Sequence, residues 1–337
     1  MGGFNVVNED QSDFLELRYL HLWSRANVTA GLGYFNGDGV EQQAFGGEVL
    51  PSLPLETRHS NGYVYATFGL RPDLTASAGF SVNALSDTSI GERRQTNPKL
   101  GISWTATPRT SVRAAVFRVL DRTLINGQTI EPTEVTGFNQ FFDDGMGARS
   151  WRYGVAADQV LWRGGYAGAE YSARKLTVPA VSLSTGALTD GSVNERGVRA
   201  YLYAILHGDL AFSAEYQRTR FSDPEGDNPL LVEEAVTHKL PIQLRFFDKS
   251  GVIGRVRATY VKQQGVFRNV DFVLFPGRDE FWTVDVSAAY RFPRRWGLAS
   301  IDVRNLFDTQ FTFQDTNPRD ATIIPSRQVL ARLSLTF

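Results

Sequence analysis

The sequence predicts an all-β transmembrane fold: an antiparallel, up-and-down barrel of about 14–16 strands, with short turns on one side and long loops on the other. Three observations predict it. Alternating apolar and polar segments of about ten residues recur along the whole chain, close to the length a tilted strand needs to cross a bilayer. Tight polar turns and long polar loops take turns between these segments. The 337 residues contain no apolar run near the roughly 18 residues of a spanning helix.

Composition agrees. Cysteine is absent, which suits a chain that crosses an oxidising compartment. Aromatics make up 12% of the residues, with 23 Phe and 12 Tyr, as interfacial girdles need. The net charge of −1 argues against a general nucleic-acid surface, so no nucleic-acid partner is expected. No signal peptide precedes Phe4, so a mature chain or a piece of a longer protein is expected. No domain boundary is visible, and residues 1–337 read as a single barrel domain.

The elements follow in order. The first clear strand, Phe14–Trp23, ends at the turn Ser24-Arg25-Ala26. Further turns are expected at Arg71-Pro72-Asp73, Thr107-Pro108-Arg109, Arg163-Gly164-Gly165 and His207-Gly208-Asp209. The last two fall at Asp248–Gly251 and Pro293-Arg294-Arg295. Proline presets φ, glycine allows positive φ, and aspartate bonds its own backbone, so each site has a physical reason to turn. Long loops are expected at Asn36–Ser60, Leu85–Asn97, Asp121–Arg149, Thr177–Asn194, Ser222–Glu234, Gly265–Arg278 and Thr309–Ser326. These connections separate about fifteen strands. An even count with both ends on the turn side is usual for such barrels, so Gly2–Asn8 is expected to supply one more strand.

Each strand has two unlike faces. Leu74, Ala76, Ala78, Phe80 and Val82 oppose Thr75, Ser77, Gly79, Ser81 and Asn83. Leu240, Ile242, Leu244 and Phe246 oppose Gln243 and Arg245, while Val256 and Ala258 oppose Arg255 and Arg257. Trp282, Val284, Val286, Ala288, Tyr290 and Phe292 oppose Thr283, Asp285, Ser287, Ala289 and Arg291. Trp23, Trp104, Trp151, Trp162, Trp282 and Trp296 sit near strand ends, as an interface belt would place them. Long strands rich in small residues favour a lipid-facing apolar side over a soluble sandwich.

The chain closes on Val329-Leu-Ala-Arg-Leu-Ser-Leu-Thr-Phe337. Val329, Ala331, Leu333, Leu335 and Phe337 form one apolar face, and this aromatic-terminated strand resembles the assembly signal of bacterial outer-membrane barrels. The resemblance implies outer-membrane lipid and the barrel-assembly machinery as partners, in a Gram-negative bacterium.

Two stretches resemble the barrel of TonB-dependent receptors. One is Asn97-Pro-Lys-Leu-Gly-Ile-Ser-Trp104, then Thr107-Pro108, the strand Ser111–Val119, Leu124 and Glu131-Pro-Thr-Glu134. The other is Val303-Arg-Asn-Leu-Phe-Asp308, then Phe311, Pro325, Arg327 and the closing strand. Ile130–Asp144 resembles a subgroup in which the barrel follows periplasmic tetratricopeptide repeats. That family carries an N-terminal plug and a 22-stranded barrel. The sequence holds no plug or coupling box. The chain is therefore either the C-terminal part of such a receptor or a smaller barrel that shares its closing strands, and a periplasmic repeat or plug domain is a candidate partner. The resemblance implies a channel or receptor domain that binds or passes solutes. The alternative is a polysaccharide-export or anchor barrel joined to such repeats, without energised uptake. In that alternative the 29-residue loop Asp121–Arg149 would fold inward.

The polar strand faces carry many arginines. Arg113, Arg152, Arg199, Arg245, Arg255 and Arg257 are expected to line the lumen, with Arg291, Arg304 and Arg332. Arg18 and Arg174 share those faces. Asp285 and Asp302 are the acids singled out among them, beside Glu16, Asp158, Glu170 and Glu215. Such a wall either selects anionic solutes or is a salt-bridged brace. The acidic tips Phe142–Gly145 and Asp223–Asn228 lack a full calcium-loop pattern and read as solvated loop tips. His21, His59, His207 and His238 are isolated, so no metal is expected. No nucleophile or phosphate-loop motif occurs, and Ser60 beside His59 is too little for a site, so neither an enzyme nor a cofactor is expected.

Overall fold

The computed structural model describes residues 4–45, 48–122, 129–140, 144–181, 187–223, 232–268, 273–313 and 326–336. The first strands are β1 (Phe4–Leu22), β2 (Ala26–Phe45), β3 (Glu48–Val49), β4 (Leu53–Arg71), β5 (Leu74–Asp87), β6 (Gly91–Thr107) and β7 (Thr110–Leu120). Then come β8 (Glu134–Val135), β9 (Phe138–Asn139), β10 (Arg149–Trp162), β11 (Gly165–Val181), β12 (Leu188–His207) and β13 (Leu210–Ser222). The last are β14 (Val232–Phe247), β15 (Val252–Arg268), β16 (Leu274–Arg291), β17 (Gly297–Arg304) and β18 (Gln328–Leu335). Among the described residues the long strands pair in chain order from β1 to β18, an up-and-down meander. The short β3 pairs with the end of β2, and β8 with β9 forms a separate small hairpin.

All seven expected turns fall between strands. In the β14–β15 turn, Ser250 N–H donates to the Asp248 carboxylate at 2.8 Å and Gly251 takes φ 99°. The β16–β17 connection is a single 3-10 turn, Pro293–Arg295.

Two expectations are corrected. Gly2–Asn8 is not a separate strand: Phe4–Asn8 begins β1, which pairs with β2 along its whole length, from Phe4 opposite Phe45 to Leu22 opposite Asn27. The remaining Gly2 and Gly3 lie outside the described residues. Several long loops are also much shorter than the sequence suggests. Asn36–Phe45 and Leu53–Ser60 belong to β2 and β4, and only Thr88-Ser89-Ile90 separates β5 from β6. The reason is physical. Beyond the apolar band both faces of a strand meet water, so alternation fades while the hydrogen-bonded ladder continues.

The chain forms two compact units, one of residues 1–105, 113–154 and 174–192, the other of 106–112, 155–173 and 193–337. In the second unit the register shows how the faces are built. One cross-strand row runs Phe212, Leu244, Val256, Val286, Val303 and Val329 over β13–β18. A parallel row on the same face runs Leu210, Phe246, Gly254, Ala288, Ile301 and Ala331. Between them, on the opposite face, lie Ala211, Arg245, Arg255, Ser287, Asp302 and Leu330.

The apolar rows are exposed: Val256 at 49%, Ile301 at 55% and Val329 at 66%. A contiguous patch of this kind exceeds what soluble monomers leave bare, and hydrocarbon is the solvent it fits. Exposed aromatics bound it. From Trp282 to the Tyr290–Phe292 pair, β16 and the residue after it cover about 33 Å at about 3.3 Å per residue. A strand tilt of about 40° reduces this to about 25 Å, the height of an outer-membrane apolar band.

Candidate functional site

In the first unit five strands present a polar face arranged in rows. Glu16, Gly33, Asn61, Asn83 and Gln95 form one row across β1, β2, β4, β5 and β6. Arg18, Gly31, Tyr63, Ser81 and Asn97 form the next, and Leu20, Thr29, Tyr65, Gly79 and Lys99 the third. Asn61, Tyr63, Ser81, Asn83, Gln95, Asn97 and Lys99 are all buried. The opposite side of the same strands exposes Leu17, Leu32, Val64, Phe80 and Leu100.

What buries this polar face is the connection between β7 and β10. Its residues Asp121, Arg122, Glu131 and Gln140 are at most 4% exposed. Glu131 accepts from the Tyr65 hydroxyl at 2.7 Å, the Asn61 amide at 3.1 Å and Arg122 at 2.8 Å. Glu16 accepts from the Thr129 hydroxyl at 2.6 Å and the Ile130 amide at 2.7 Å, and lies 3.8 Å from Arg122. Gln140 donates to Pro132 O at 2.6 Å and to the Tyr65 hydroxyl at 3.1 Å. The Arg122 and Glu131 side chains are each 1% exposed. Losing either partner of such a pair costs about 3–5 kcal/mol, because a buried charge is left uncompensated.

The β8–β9 hairpin is the tip of this connection. Thr136 and Gly137, at φ 50° and 75°, form its tight turn, a geometry that twists with the strands. Two glycines make room for it. A Cβ on Gly101 of β6 would strike the Thr136 side chain, and one on Gly154 of β10 would strike the Phe138 ring. Two of the sequence-predicted arginines hold the hairpin. Arg113 donates to Gly137 O at 2.6 Å with its guanidinium 4.7 Å from the Phe138 ring centre, and Arg152 donates to Asn139 O at 2.9 Å. Arg18 donates to Ile130 O at 3.3 Å. Their acceptors are backbone carbonyls, which no side-chain pattern announces.

In the second unit the predicted charges form separate small groups. Arg199 grips Glu215 through two nitrogens at 2.8 and 2.9 Å, and Tyr203 donates to the same carboxylate at 3.0 Å. Arg255 reaches across Ser287 to Asp302 at 3.0 Å. Arg257 stands opposite Asp285, whose carboxylate accepts from Asn305 N–H at 2.9 Å. Arg245 stands opposite Arg255 and Arg332 opposite Ser300. Arg304 pairs in register with Gln328, and Arg291 with Leu298 at the turn end. Val329, Ala331, Leu333 and Leu335 stand opposite Val303, Ile301, Ala299 and Gly297, on the apolar face. Phe337 lies outside the described residues.

Other sequence candidates resolve simply. His59 is buried and bonds Asn83 at 3.0 Å, while Ser60 points to the other face and is exposed, so the two form no site. Asp144 pairs with Arg174 at 2.7 Å. Phe142, Asp143 and residues 224–228 lie outside the described residues. Nothing in the sequence marks Arg122, Glu131 or Lys99 as a site residue. Arg122 and Glu131 sit in a loop, and most of their partners stand on strands far away in the chain.

Compared with known proteins, the sequence matches no family model and no curated protein. Solved structures do match. The FrpB iron transporter of Neisseria meningitidis shares 11% identity at a TM-score of 0.69, over 96% of this chain and 54% of its own. The P. aeruginosa receptor FpvA, solved with pyoverdines bound, shares 14% at 0.67, over 97% of this chain and 48% of its own. The siderophore receptor PirA of Pseudomonas aeruginosa shares 16% at 0.57, over the whole chain and 58% of its own. The chain thus has the fold of the TonB-dependent receptor barrel, an outer-membrane antiparallel β-barrel fold, and spans about half the length of the structures it matches.

Proposed function

We propose that this chain is the barrel portion of an outer-membrane receptor or transporter of a Gram-negative bacterium, binding solutes and passing them across the membrane. The observation that carries this reading is the partition of the sheet into an apolar and a mainly polar face. Rows of Val, Ile and Phe face one way, and rows of Arg, Asp, Asn and Tyr face the other. In hydrocarbon that partition is stable, and its polar side is a wettable path. The receptor-barrel fold supports the same reading. Outer-membrane lipid and the barrel-assembly machinery are then its partners, and residues 1–337 act as one barrel domain. A plug or periplasmic repeat is a partner the fold would accept. The arginines Arg199, Arg245, Arg255, Arg257, Arg291, Arg304 and Arg332 would line the path and bias it towards anions. The loop held by Arg113 and Arg152 would cover the polar face of the first unit.

Planar-bilayer recording of the refolded chain tests this. Discrete conductance steps with anion-selective reversal potentials are expected, and steps should enlarge in an Arg113→Ser, Arg152→Ser double variant. Folded protein that never conducts, in either form, refutes the passage role.

A further inference from the structure

A cavity of about 440 Å³ lies in the first unit between the polar rows and the β8–β9 hairpin. Its floor holds Tyr65, Thr67, Ser77 and Lys99, its roof is Pro132 with Glu134 to Gly137, and Leu20 and Leu22 flank it. Lys99 is the unusual member. It is 1% exposed, yet its ammonium makes one hydrogen bond, to Arg118 O at 3.0 Å, and lies 5.8 Å from the Tyr65 ring centre. Among the described residues no carboxylate pairs with it within 4 Å, and Glu131, the acid that acts on it, is already bonded to Arg122, Tyr65 and Asn61. An ammonium carries three donors, so two remain for something else. A buried cation without a counter-charge in contact is expensive, and the protein keeps one on the wall of a cavity.

The rest of the lining narrows the chemistry. The Thr67 and Ser77 hydroxyls lie 3.4 Å apart, and Asn27 and Thr29 add further neutral polar groups. The leucines offer an apolar flank. The one acid, Glu134, is on the roof and exposed to solvent. A cavity this size is far larger than an inorganic anion requires, since one water takes about 30 Å³. We propose that it binds a hydroxyl-rich carboxylate of sugar-acid size. The carboxylate pairs with Lys99, the hydroxyls bond Thr67, Ser77 and Asn27, and the carbon face rests on Leu20 and Leu22.

This deepens the solute-transport reading and rests on it. Calorimetry in detergent tests it without any need for conduction, so the two can fail separately. The full chain is titrated with D-galacturonate and with D-galactose. Galacturonate should bind at least about tenfold more tightly, the usual margin of a charge-assisted hydrogen bond over a neutral one. Lys99→Met should remove that preference without lowering the melting temperature. Should that variant fail to fold, Ser77→Leu, which fills the cavity and keeps the ammonium, must abolish binding of both sugars. Equal binding of the two sugars, no binding of either, or a preference that survives Lys99→Met overturns the proposal.

Discussion

Replacing Glu131 by Gln should loosen the inward loop while leaving the sheet intact. In the wild type Arg122 faces two carboxylates, Glu131 at 2.8 Å and Glu16 at 3.8 Å. With an effective dielectric near 20, these attractions are worth about 6 and about 4 kcal/mol before desolvation. The substitution removes the first and also relieves the burial cost of the Glu131 charge. Breaking one side of a buried pair costs about 3–5 kcal/mol in practice. The Gln oxygen still accepts from Asn61 or Tyr65, so the lower end, about 3 kcal/mol, is expected. At about 1.4 kcal/mol per decade, the detached loop becomes roughly 100-fold more populated. Amide exchange reads this directly. The Ile130 amide is held by Glu16 at 2.7 Å and the Gln140 amide by Thr133 O at 2.7 Å. Both should exchange roughly 100-fold faster, while the β14–β15 amides keep their rates. A change below about threefold at Ile130, with the protein folded, would falsify the claim that this pair latches the loop.

Further outcomes follow from the same geometry. Val286→Arg places a charge in the middle of the apolar row and should cost about 2–4 kcal/mol in urea unfolding from bilayers, whereas Ser287→Arg on the polar face should be tolerated better; the reverse order would mean the sheet is inside out. Gly101→Val should displace the Thr136 turn, raising exchange at Gln140 and leaving the strand ladder unchanged; unaltered loop exchange would show that the glycine notch is not needed. Asp302→Asn should free Arg255 and raise anion selectivity, whereas Arg255→Gln should lower it, as judged by reversal potentials. Equal effects from the two would argue for a brace instead of a selectivity wall.

The turns are legible in the sequence because their chemistry is local. Arg71-Pro72-Asp73 and Asp248–Gly251 turn for reasons carried by their own backbones. The faces are legible too, since period-2 alternation persists wherever one side meets lipid. Strand ends are not. Asn36–Gln43 is, apart from Val40, polar or glycine on both sides, so its pattern does not distinguish a paired strand from a loop. The same silence hides the continuity of Phe4–Asn8 with β1. The Asp121–Arg149 connection is long enough to fold inward, as the anchor-barrel alternative expects, but its attachment does not show. Arg113 and Arg152 read as wall charges, while the carbonyls they bind belong to a hairpin two residues long on each side. Lys99 holds a polar register position on β6, and period-2 alternation cannot tell a buried ammonium from a solvated one.

The latch also bears on the order in which the barrel comes together. Glu16 shares its row with Gly33, Asn61, Asn83 and Gln95, none of which carries positive charge. Its contact with Thr129 joins residues 113 positions apart. A nascent sheet of β1–β6 therefore holds Glu16 without Thr129, Ile130 and Arg122 until a much later segment arrives. Docking of that segment is a long-range closure, slow for entropic reasons, and it marks the first half of the sheet as finished. In pulse-labelled refolding the Ile130 amide should gain protection after the strands beneath it, and a loop protected before them would reverse this order.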